Sequence, residues 1–184
     1  MENKEDKILE AAWKLFLRHG FKKVTMSEIA EASGVSRPTV YAAFANKEAI
    51  ITHMVEVSIE NNQANTKLKL PKKKLLRDQL DCLFAIWIIE PFASIADSEG
   101  FKELMENVQE YAPVACNEIY SKFENHVVSL LKPHMKKKSE LTVEELAKIL
   151  TLATKGVKTS ADTVSQLQRL IDGLIAMTMG MVEK

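Results

Sequence analysis

The stretch Thr25–Phe44 reads Thr-Met-Ser-Glu-Ile-Ala-Glu-Ala-Ser-Gly-Val-Ser-Arg-Pro-Thr-Val-Tyr-Ala-Ala-Phe. It contains two short helical patterns separated by Gly34, a residue that tolerates the left-handed conformation found where helices end. Thr25 and Glu28 have the spacing of a capping box, and Pro38 lies in the first turn of the second pattern, where its missing N–H costs nothing. Two helices joined in this way predict a helix-turn-helix, which lays its second helix in the DNA major groove.

The rest of the chain also reads as helix, because six glycines and five prolines are spread over 184 residues and no strand-like alternation persists. A first helix is predicted at about Glu5–His19, and a fourth follows the cap residue Asn46 and runs to about Asn65. The later helices are predicted at about Lys72–Glu90, Ser94–Glu110, Val114–Met135, Val143–Lys155 and Ala161–Val182. The predicted fold is all-α, with about nine helices in total.

Two domains are expected, since the chain is long enough for a small domain and a larger one. The basic stretch Lys67–Lys74, interrupted by Pro71, marks the boundary region. Residues 2–62 are predicted to form a three-helix DNA-binding domain, with the helix-turn-helix at about residues 25–44. Residues 63–184 are predicted to form a larger helical domain.

The outward face of the second helix of the motif carries side chains suited to DNA. Arg37 can bind guanine or a phosphate, Thr39 can bond a base or touch a thymine methyl, and the Tyr41 hydroxyl can bond a phosphate. Lys47 follows the cap of the fourth helix and is predicted to clamp a phosphate. The predicted contacts are Thr25, Ser36, Arg37, Pro38, Thr39, Tyr41 and Lys47. The plainer interpretation is a helical hairpin in which Tyr41 is a half-buried packing residue.

The charge of the chain does not by itself indicate nucleic acid, because the chain is formally neutral. Acidic residues slightly outnumber basic ones within residues 1–60. Non-specific DNA binding is therefore expected to be modest, and recognition is expected to depend on oriented amides and hydroxyls.

Residues from about Glu2 to Asn62 resemble the TetR-type bacterial transcription regulators. The residues that carry the resemblance are Ile8-Leu9-Glu10-Ala11-Ala12, Leu15-Phe16, Gly20-Phe21, Val24-Thr25-Met26, Ile29-Ala30, Gly34-Val35-Ser36, Thr39-Val40-Tyr41, Phe44 and Asn46-Lys47-Glu48. By the family pattern, Thr25, Arg37, Thr39, Tyr41 and Lys47 match the usual DNA-contacting positions. Ala42 and Ala43 depart from that pattern, since they stand where a histidine or a bulky aromatic residue is common.

The resemblance implies a homodimer that binds a palindromic operator in double-stranded DNA. Each subunit is expected to contribute one DNA-reading head and a C-terminal helical domain that binds a small-molecule effector and dimerises. Repression is the family's usual outcome. The resulting hypothesis is a repressor that a small apolar effector releases from its operator. The alternative is a DNA-bound adaptor whose C-terminal domain binds another protein.

The middle of the chain concentrates aromatic and soft side chains that could line an apolar effector pocket. These residues are Phe84, Trp87, Phe92, Phe101, Met105, Tyr111, Tyr120 and Phe123. The alternative interpretation is that they only fill a core.

The last helix is apolar on two faces, which is typical of a helix buried on two sides. Its glycines, which cost about 1 kcal/mol each relative to alanine, favour close helix–helix approach. The predicted dimer-interface residues are Leu167, Ile171, Leu174, Met177 and Met181. The alternative is a core helix within a monomer.

Catalysis is not expected, because the sequence contains no nucleophile elbow, phosphate loop or HExxH motif. The histidines His19, His53, His126 and His134 have no metal-ligand spacing, so neither a metal nor a cofactor is predicted. Cys82 and Cys116 are expected to be buried thiols, with a redox switch as the less favoured alternative. The N-terminus does not read as a signal peptide and no apolar run is long enough to cross a bilayer, which predicts a cytoplasmic protein with no membrane partner.

Overall fold

The computed structural model describes residues 3–136 and 139–182. It is built from α-helices, and no β-strand occurs among these residues beyond an isolated bridge between Met135 and Val182. The helices are α1 (Lys4–His19), α2 (Met26–Ser33), α3 (Arg37–Ala43), α4 (Lys47–Lys69), α5 (Leu76–Phe84), α6 (Glu90–Ala93), α7 (Phe101–Tyr111), α8 (Pro113–Leu131), α9 (Val143–Ser160) and α10 (Val164–Met181). A π-helical turn, Ala85–Ile89, joins α5 to α6, so the described residues form nine continuous helices. The predicted all-α fold is confirmed.

The chain divides into two compact units. Unit 1 comprises the described part of residues 1–58 together with residues 97–117, and unit 2 comprises residues 59–96 and the described part of residues 118–184. Residues 97–117, which the sequence had assigned to the second domain, therefore pack with the helix-turn-helix. The predicted domain boundary at residue 62 stays a prediction.

Local signals determine both ends of α2 and the start of α4. The Thr25 hydroxyl accepts a hydrogen bond from the Glu28 N–H, and the Glu28 carboxylate accepts one from the Thr25 N–H. This is the predicted capping box. Gly34 ends α2 with φ 65° and ψ 18°, the left-handed conformation that a side chain would disfavour. The Asn46 side chain accepts from the Ala49 N–H at 2.8 Å, as expected for the cap of α4.

The core of unit 1 is apolar and continuous. Ile8, Phe16, Ile29, Val40 and Ile50 are completely buried in it, and each contributes about 1.5–3 kcal/mol of transfer free energy as an upper estimate. The same cluster includes residues of α7 and the start of α8, namely Leu104, Tyr111, Ala112, Ala115 and Cys116. The helix-turn-helix therefore shares one core with a segment from the middle of the chain.

The later helices differ from the predicted boundaries for identifiable reasons. The helix predicted at Lys72–Glu90 begins at Leu76 and continues through Pro91 as far as Ala93. The Glu90 N–H reaches back five residues to the Ala85 carbonyl, and this wider π turn accommodates a proline that an ordinary α-helical turn would exclude. The helix predicted from Ser94 begins only at Phe101, after Gly100.

In unit 2, α10 packs against α9 and α5, and its inward face consists of Leu167, Ile171, Ile175 and Thr178. The rings of Phe84 and Phe123 meet edge to face at 5.1 Å, and Trp87 lies beside Phe123 at 6.4 Å. None of the described helices is both long and apolar enough to span a bilayer.

Candidate nucleic-acid interface

The turn between α2 and α3 sets the direction of α3. The Val35 N–H donates to the Ala30 carbonyl and the Gly34 N–H to the Glu31 carbonyl, both at 3.2 Å, so the last carbonyls of α2 are satisfied by the turn itself. Val40 is completely buried and fixes α3 against the core of unit 1. The opposite face of α3 is therefore presented outward.

Five of the seven residues predicted to contact DNA lie on α3 or at its N-cap. Arg37, Pro38 and Ser36 are exposed, and Tyr41 has 52% of its surface exposed. Thr39 is partly buried, and its hydroxyl lies 2.8 Å from the Ser36 hydroxyl. Each hydroxyl has a single hydrogen, so this pair keeps one O–H donor for an outside acceptor.

Two small residues complete this face. Ala42 and Ala43 are exposed and add no polar group. The backbone of α3 can therefore approach a neighbouring surface closely, and hydrogen bonding is left to the residues at its N-terminal end and to Tyr41.

Thr25 lies at the N-cap of α2, and its hydroxyl is used within the protein. The hydroxyl donates to a Glu28 carboxylate oxygen at 2.8 Å while accepting from the Glu28 N–H at 3.3 Å. The hydrogen bonds that the Thr25 hydroxyl and backbone N–H donate to the Glu28 carboxylate lower the pKa of Glu28, and the charges of His19 and Lys47 lower it further. The N-terminus of α2 thus already carries a negative side chain.

Lys47 is placed differently from its predicted role as a phosphate clamp. Its ammonium donates to the carbonyls of Phe21, Lys22 and Val24 at 2.8, 3.1 and 3.0 Å. It also lies 4.6 Å from the centroid of the Phe21 ring. An ammonium has three N–H donors, and all three are directed to the loop between α1 and α2. In this arrangement Lys47 ties α4 to that loop, and a phosphate would have to replace one of these bonds.

Two residues of α7 hold this loop, and the sequence singled out only Tyr111, as a pocket residue, and not Glu103. Glu103 accepts from the Lys22 N–H at 2.9 Å and from the Tyr111 hydroxyl at 3.1 Å. Tyr111 stacks on Phe21 with the ring centroids 4.0 Å apart. Burial, together with the neighbouring Glu103, raises the pKa of Tyr111 to about 12. No local pattern marks these residues, because their partners lie about 80 positions away in the chain.

The predicted effector-pocket residues do not come together in one unit. Phe84, Trp87, Phe92 and Phe123 are fully buried in unit 2. Tyr120 also belongs to unit 2, where the Lys155 ammonium lies 4.2 Å from its ring centroid. Phe101, Met105 and Tyr111 belong to unit 1. The prediction of a single pocket is corrected for these three, since Tyr111 packs on Phe21 and the other two lie on the same helix.

Polar groups accompany the buried rings of unit 2. The Trp87 indole N–H donates to the Thr66 hydroxyl at 2.8 Å, and that hydroxyl donates to the Asn62 carbonyl at 2.7 Å. His126 lies 5.3 Å from Trp87, and its pKa is lowered by burial and by the charges of Lys122 and Lys67. Among the described residues, the Asn62 side-chain amide nitrogen is buried without a hydrogen-bond partner.

A separate surface cleft of about 540 Å³ lies in unit 2. It is lined by Lys69, Lys72, Lys73, Asp78, Asp81, Cys82 and Ala85. None of the predicted pocket residues lines it. Cys82 is partly exposed, contrary to the expected burial of both thiols, whereas Cys116 is buried.

The predicted dimer-interface residues divide between two faces of α10. Leu167 and Ile171 are completely buried inside unit 2, so neither is available to a partner chain. Leu174 and Met181 are partly exposed, and Met177 is 63% exposed. The structure thus corrects the predicted interface by removing the first pair and keeping the outward residues.

Comparison with known proteins relates part of this chain to a family. Residues 8–54 match the family model described as bacterial regulatory proteins, tetR family. Over these residues the chain is similar to TetR-type regulators. The matched segment contains α1, α2, α3 and the first part of α4, so the resemblance found in the sequence is confirmed over the helix-turn-helix.

Relatives and solved structures agree with this assignment. The transcriptional repressor ComR of Escherichia coli is 34% identical over 65 residues, covering 35% of this chain and 31% of ComR. YuxN of Bacillus subtilis, an HTH-type transcriptional regulator, is 29% identical over 150 residues, covering 78% of this chain and 50% of YuxN. The chain thus spans half the length of these curated relatives or less.

A transcriptional regulator from Saccharomonospora viridis, solved in complex with choline, has a TM-score of 0.75. It is 18% identical, and the match covers 98% of each chain. This similarity shows that the two chains share a fold over nearly their whole length.

Proposed function

We propose that this TetR-type chain binds double-stranded DNA as a homodimer and represses transcription until a small apolar effector releases it. The observation that carries the DNA-binding part is the outward face of α3, where Arg37 and Tyr41 are exposed and Thr39 is partly exposed. Val40, on the opposite side, anchors the helix. This is the arrangement in which a recognition helix enters a major groove.

The side chains on this face can contact different parts of DNA. Arg37 is long and always charged, so it can bond guanine in the groove or a phosphate at its edge. Tyr41 and the Ser36–Thr39 pair offer hydroxyl donors to phosphate oxygens or base edges. Because the chain is formally neutral, these directed contacts matter more than a general attraction to DNA.

Homodimerisation is supported by an unpartnered apolar stripe on α9 and α10. Ile149 and Leu152 on α9 are 50% and 54% exposed, and Leu170 on α10 is exposed to 38%. A side chain placed at Gly156, Gly173 or Gly180 would meet open space. A second copy of this chain is the proposed occupant, because a two-fold pair of α9 and α10 would bury the stripe and give two reading heads for two half-sites.

The effector is proposed to bind in unit 2, among Phe84, Trp87, Phe92 and Phe123. The unpartnered Asn62 amide supports a ligand that carries a hydrogen-bond acceptor on an apolar body, since a buried unsatisfied donor costs about 1–3 kcal/mol. These rings are fully buried, so an entering ligand must separate them and shift the helices that carry them. Release of DNA then follows if the ligand prefers the shifted state.

The DNA-binding part is tested by selecting binding sites from random duplexes with the wild-type protein. We expect a palindromic sequence with half-sites about 34–36 Å apart, and a dimer mass in light scattering at micromolar concentration. Arg37→Ala should select a different sequence. Tyr41→Phe should weaken binding to all duplexes by about 1 kcal/mol, because it removes a phosphate hydrogen bond without removing base contacts. Failure to select any duplex at low ionic strength would contradict the proposal.

The effector site can be tested with acetophenone and α-methylstyrene, which have the same shape but differ by a carbonyl oxygen. In a Trp13→Phe background, where Trp87 is the sole tryptophan, fluorescence should report acetophenone binding about fivefold tighter than α-methylstyrene binding. Asn62→Leu should abolish that preference and also stabilise the unliganded protein. Equal affinity of the wild type for both compounds would count against this site.

A further inference from the structure

We propose that Glu103 on α7 is a positioning residue of the DNA-reading head, because its carboxylate holds the loop between α1 and α2 in place. The inference rests on the proposed DNA-binding function. The Glu103 carboxylate accepts its hydrogen bonds from Lys22 and Tyr111, so its effect on DNA would be exerted through the loop that connects α1 to α2.

The loop, residues 20–24, is held by two helices that are remote in sequence. From α4, Lys47 donates to three of its carbonyls. From α7, Glu103 accepts the Lys22 N–H at 2.9 Å. An anionic acceptor and a cationic donor thus bind the same short segment, and both are charge-assisted hydrogen bonds, which are stronger than neutral ones.

An aromatic contact reinforces the same junction. Phe21 lies under the Lys47 ammonium and stacks on Tyr111. The Tyr111 hydroxyl donates a hydrogen bond to Glu103. Phe21 itself is 2% exposed. Loop backbone, loop side chain and α7 are therefore joined in one cluster within unit 1.

The start of α7 is fixed by direct backbone contact with the end of α1. The Gly100 N–H donates to the Leu17 carbonyl at 2.7 Å. A Cβ at Gly100 would collide with the Phe16 carbonyl oxygen and would lie 3.0 Å from that of Leu17. A residue larger than glycine at this position would force α7 away from α1, so the backbone itself sets the position from which Glu103 reaches the loop.

The connection matters for DNA because the loop leads directly into α2. Val24 accepts from Lys47, and the next residue, Thr25, is the N-cap of α2. The segment containing α7 is also covalently continuous at both ends with unit 2, at residues 96 and 118. We infer that loss of the Glu103 contact loosens the head, which must then be ordered when DNA binds.

The test compares Glu103→Ala with Glu103→Gln and with the control Glu106→Ala, which removes an exposed carboxylate from the same helix. The probe is a duplex selected by the wild-type protein. We expect Glu103→Ala to weaken binding about tenfold, which corresponds to one charge-assisted hydrogen bond, and Glu106→Ala to leave it unchanged. Glu103→Gln should stay within about threefold of wild type, because its amide oxygen can still accept the Lys22 N–H.

Amide hydrogen exchange gives a readout that does not depend on DNA. In Glu103→Ala, the Lys22 amide should exchange about tenfold faster, while amides of α9 and α10 keep their wild-type rates. Gly100→Ala should give the same pattern by displacing α7. Unchanged Lys22 exchange, unchanged operator affinity in Glu103→Ala, or equal losses in the Gln and Ala variants would each overturn the inference. If the wild type selects no duplex while Lys22 exchange still rises, the proposed function fails and the structural contact stands.

Discussion

The two units use their polar groups in different ways. In unit 1, Lys47 and Glu103 form hydrogen bonds to a loop that lies 23 to 26 and 81 residues away in the chain. In unit 2, the buried hydroxyls of Thr151, Thr154 and Thr178 donate to carbonyls one turn earlier in their own helices. Hydrogen bonds thus connect distant segments of unit 1, whereas the helices of unit 2 are held together mainly by apolar contact.

This difference bears on how each unit can move. A helix whose buried polar groups are satisfied within itself can shift against its neighbours without leaving a donor unpaired. The hydrogen bond between Trp87 and Thr66 is an exception that links two helical segments of unit 2. Unit 1, in contrast, cannot rearrange its loop without breaking charge-assisted bonds. The contrast agrees with the proposed roles, in which unit 1 reads DNA with a fixed geometry and unit 2 adapts to an effector.

The largest expected effect comes from the apolar core of unit 2. Leu167→Ala should lower the free energy of unfolding by about 3 kcal/mol, because it creates a cavity at a completely buried position. Met177→Ala, on the exposed face of the same helix, should leave subunit unfolding nearly unchanged and weaken dimerisation instead. Urea denaturation and light scattering separate the two. Equal destabilisation by both would remove the distinction between the inner and outer faces of α10.

The second-largest expected effect tests the hydrogen bonds that connect distant segments of unit 1. Lys47→Met should lower the free energy of unfolding by about 2 kcal/mol, because three carbonyls of the loop lose a charged donor. Lys47→Arg is the matched variant that keeps the charge but not the geometry of three converging donors. If Lys47→Met weakened DNA binding while stability stayed at the wild-type value, Lys47 would be the phosphate clamp expected from the sequence.

The smallest effect tests the self-satisfied hydroxyls of unit 2. Thr154→Val should change the free energy of unfolding by less than about 1 kcal/mol. Valine keeps the shape of the threonine side chain, and the Leu150 carbonyl still takes part in the backbone hydrogen bonding of α9. Thr66→Val should cost more, about 1–3 kcal/mol, because the buried Trp87 N–H loses its acceptor. Thermal unfolding of the two variants shows which of them loses more stability. A larger loss for Thr154→Val than for Thr66→Val would contradict the contrast between the two units.

Prediction from sequence succeeded where the determining residues are close together in the chain. The cap residues Thr25, Gly34 and Asn46 each act within four residues, and the structure confirms all three. The exposure of Arg37 and Tyr41 follows from the phase of α3 against the buried Val40. These features need no knowledge of the remaining chain.

Prediction was less successful where contacts between distant segments determine which residues are buried and what they pack against. Both apolar stripes of α10 look alike in the sequence, and packing against α5 and α9 selects Leu167 and Ile171 as the inner face. The aromatic residues of the middle segment look equally alike, yet Tyr111 joins unit 1 while Trp87 joins unit 2. The bonds of Lys47 and Glu103 depend on contacts that no local pattern encodes.

The π-helical turn at Ala85–Ile89 has a consequence for the phase of everything that follows it. Ile86, Trp87 and Ile88 are consecutive and all buried, which a regular α-helix does not allow on a single face. The wider turn holds one more residue than an α-helical turn, so deleting one residue would convert its i→i+5 bonding into ordinary i→i+4 bonding and leave the following residues nearly in their present phase. Phe92 would then keep its buried position. Deleting one residue from the regular helix α5 instead would rotate everything after it by about 100°, so the chain should tolerate a shortened turn better than a shortened helix.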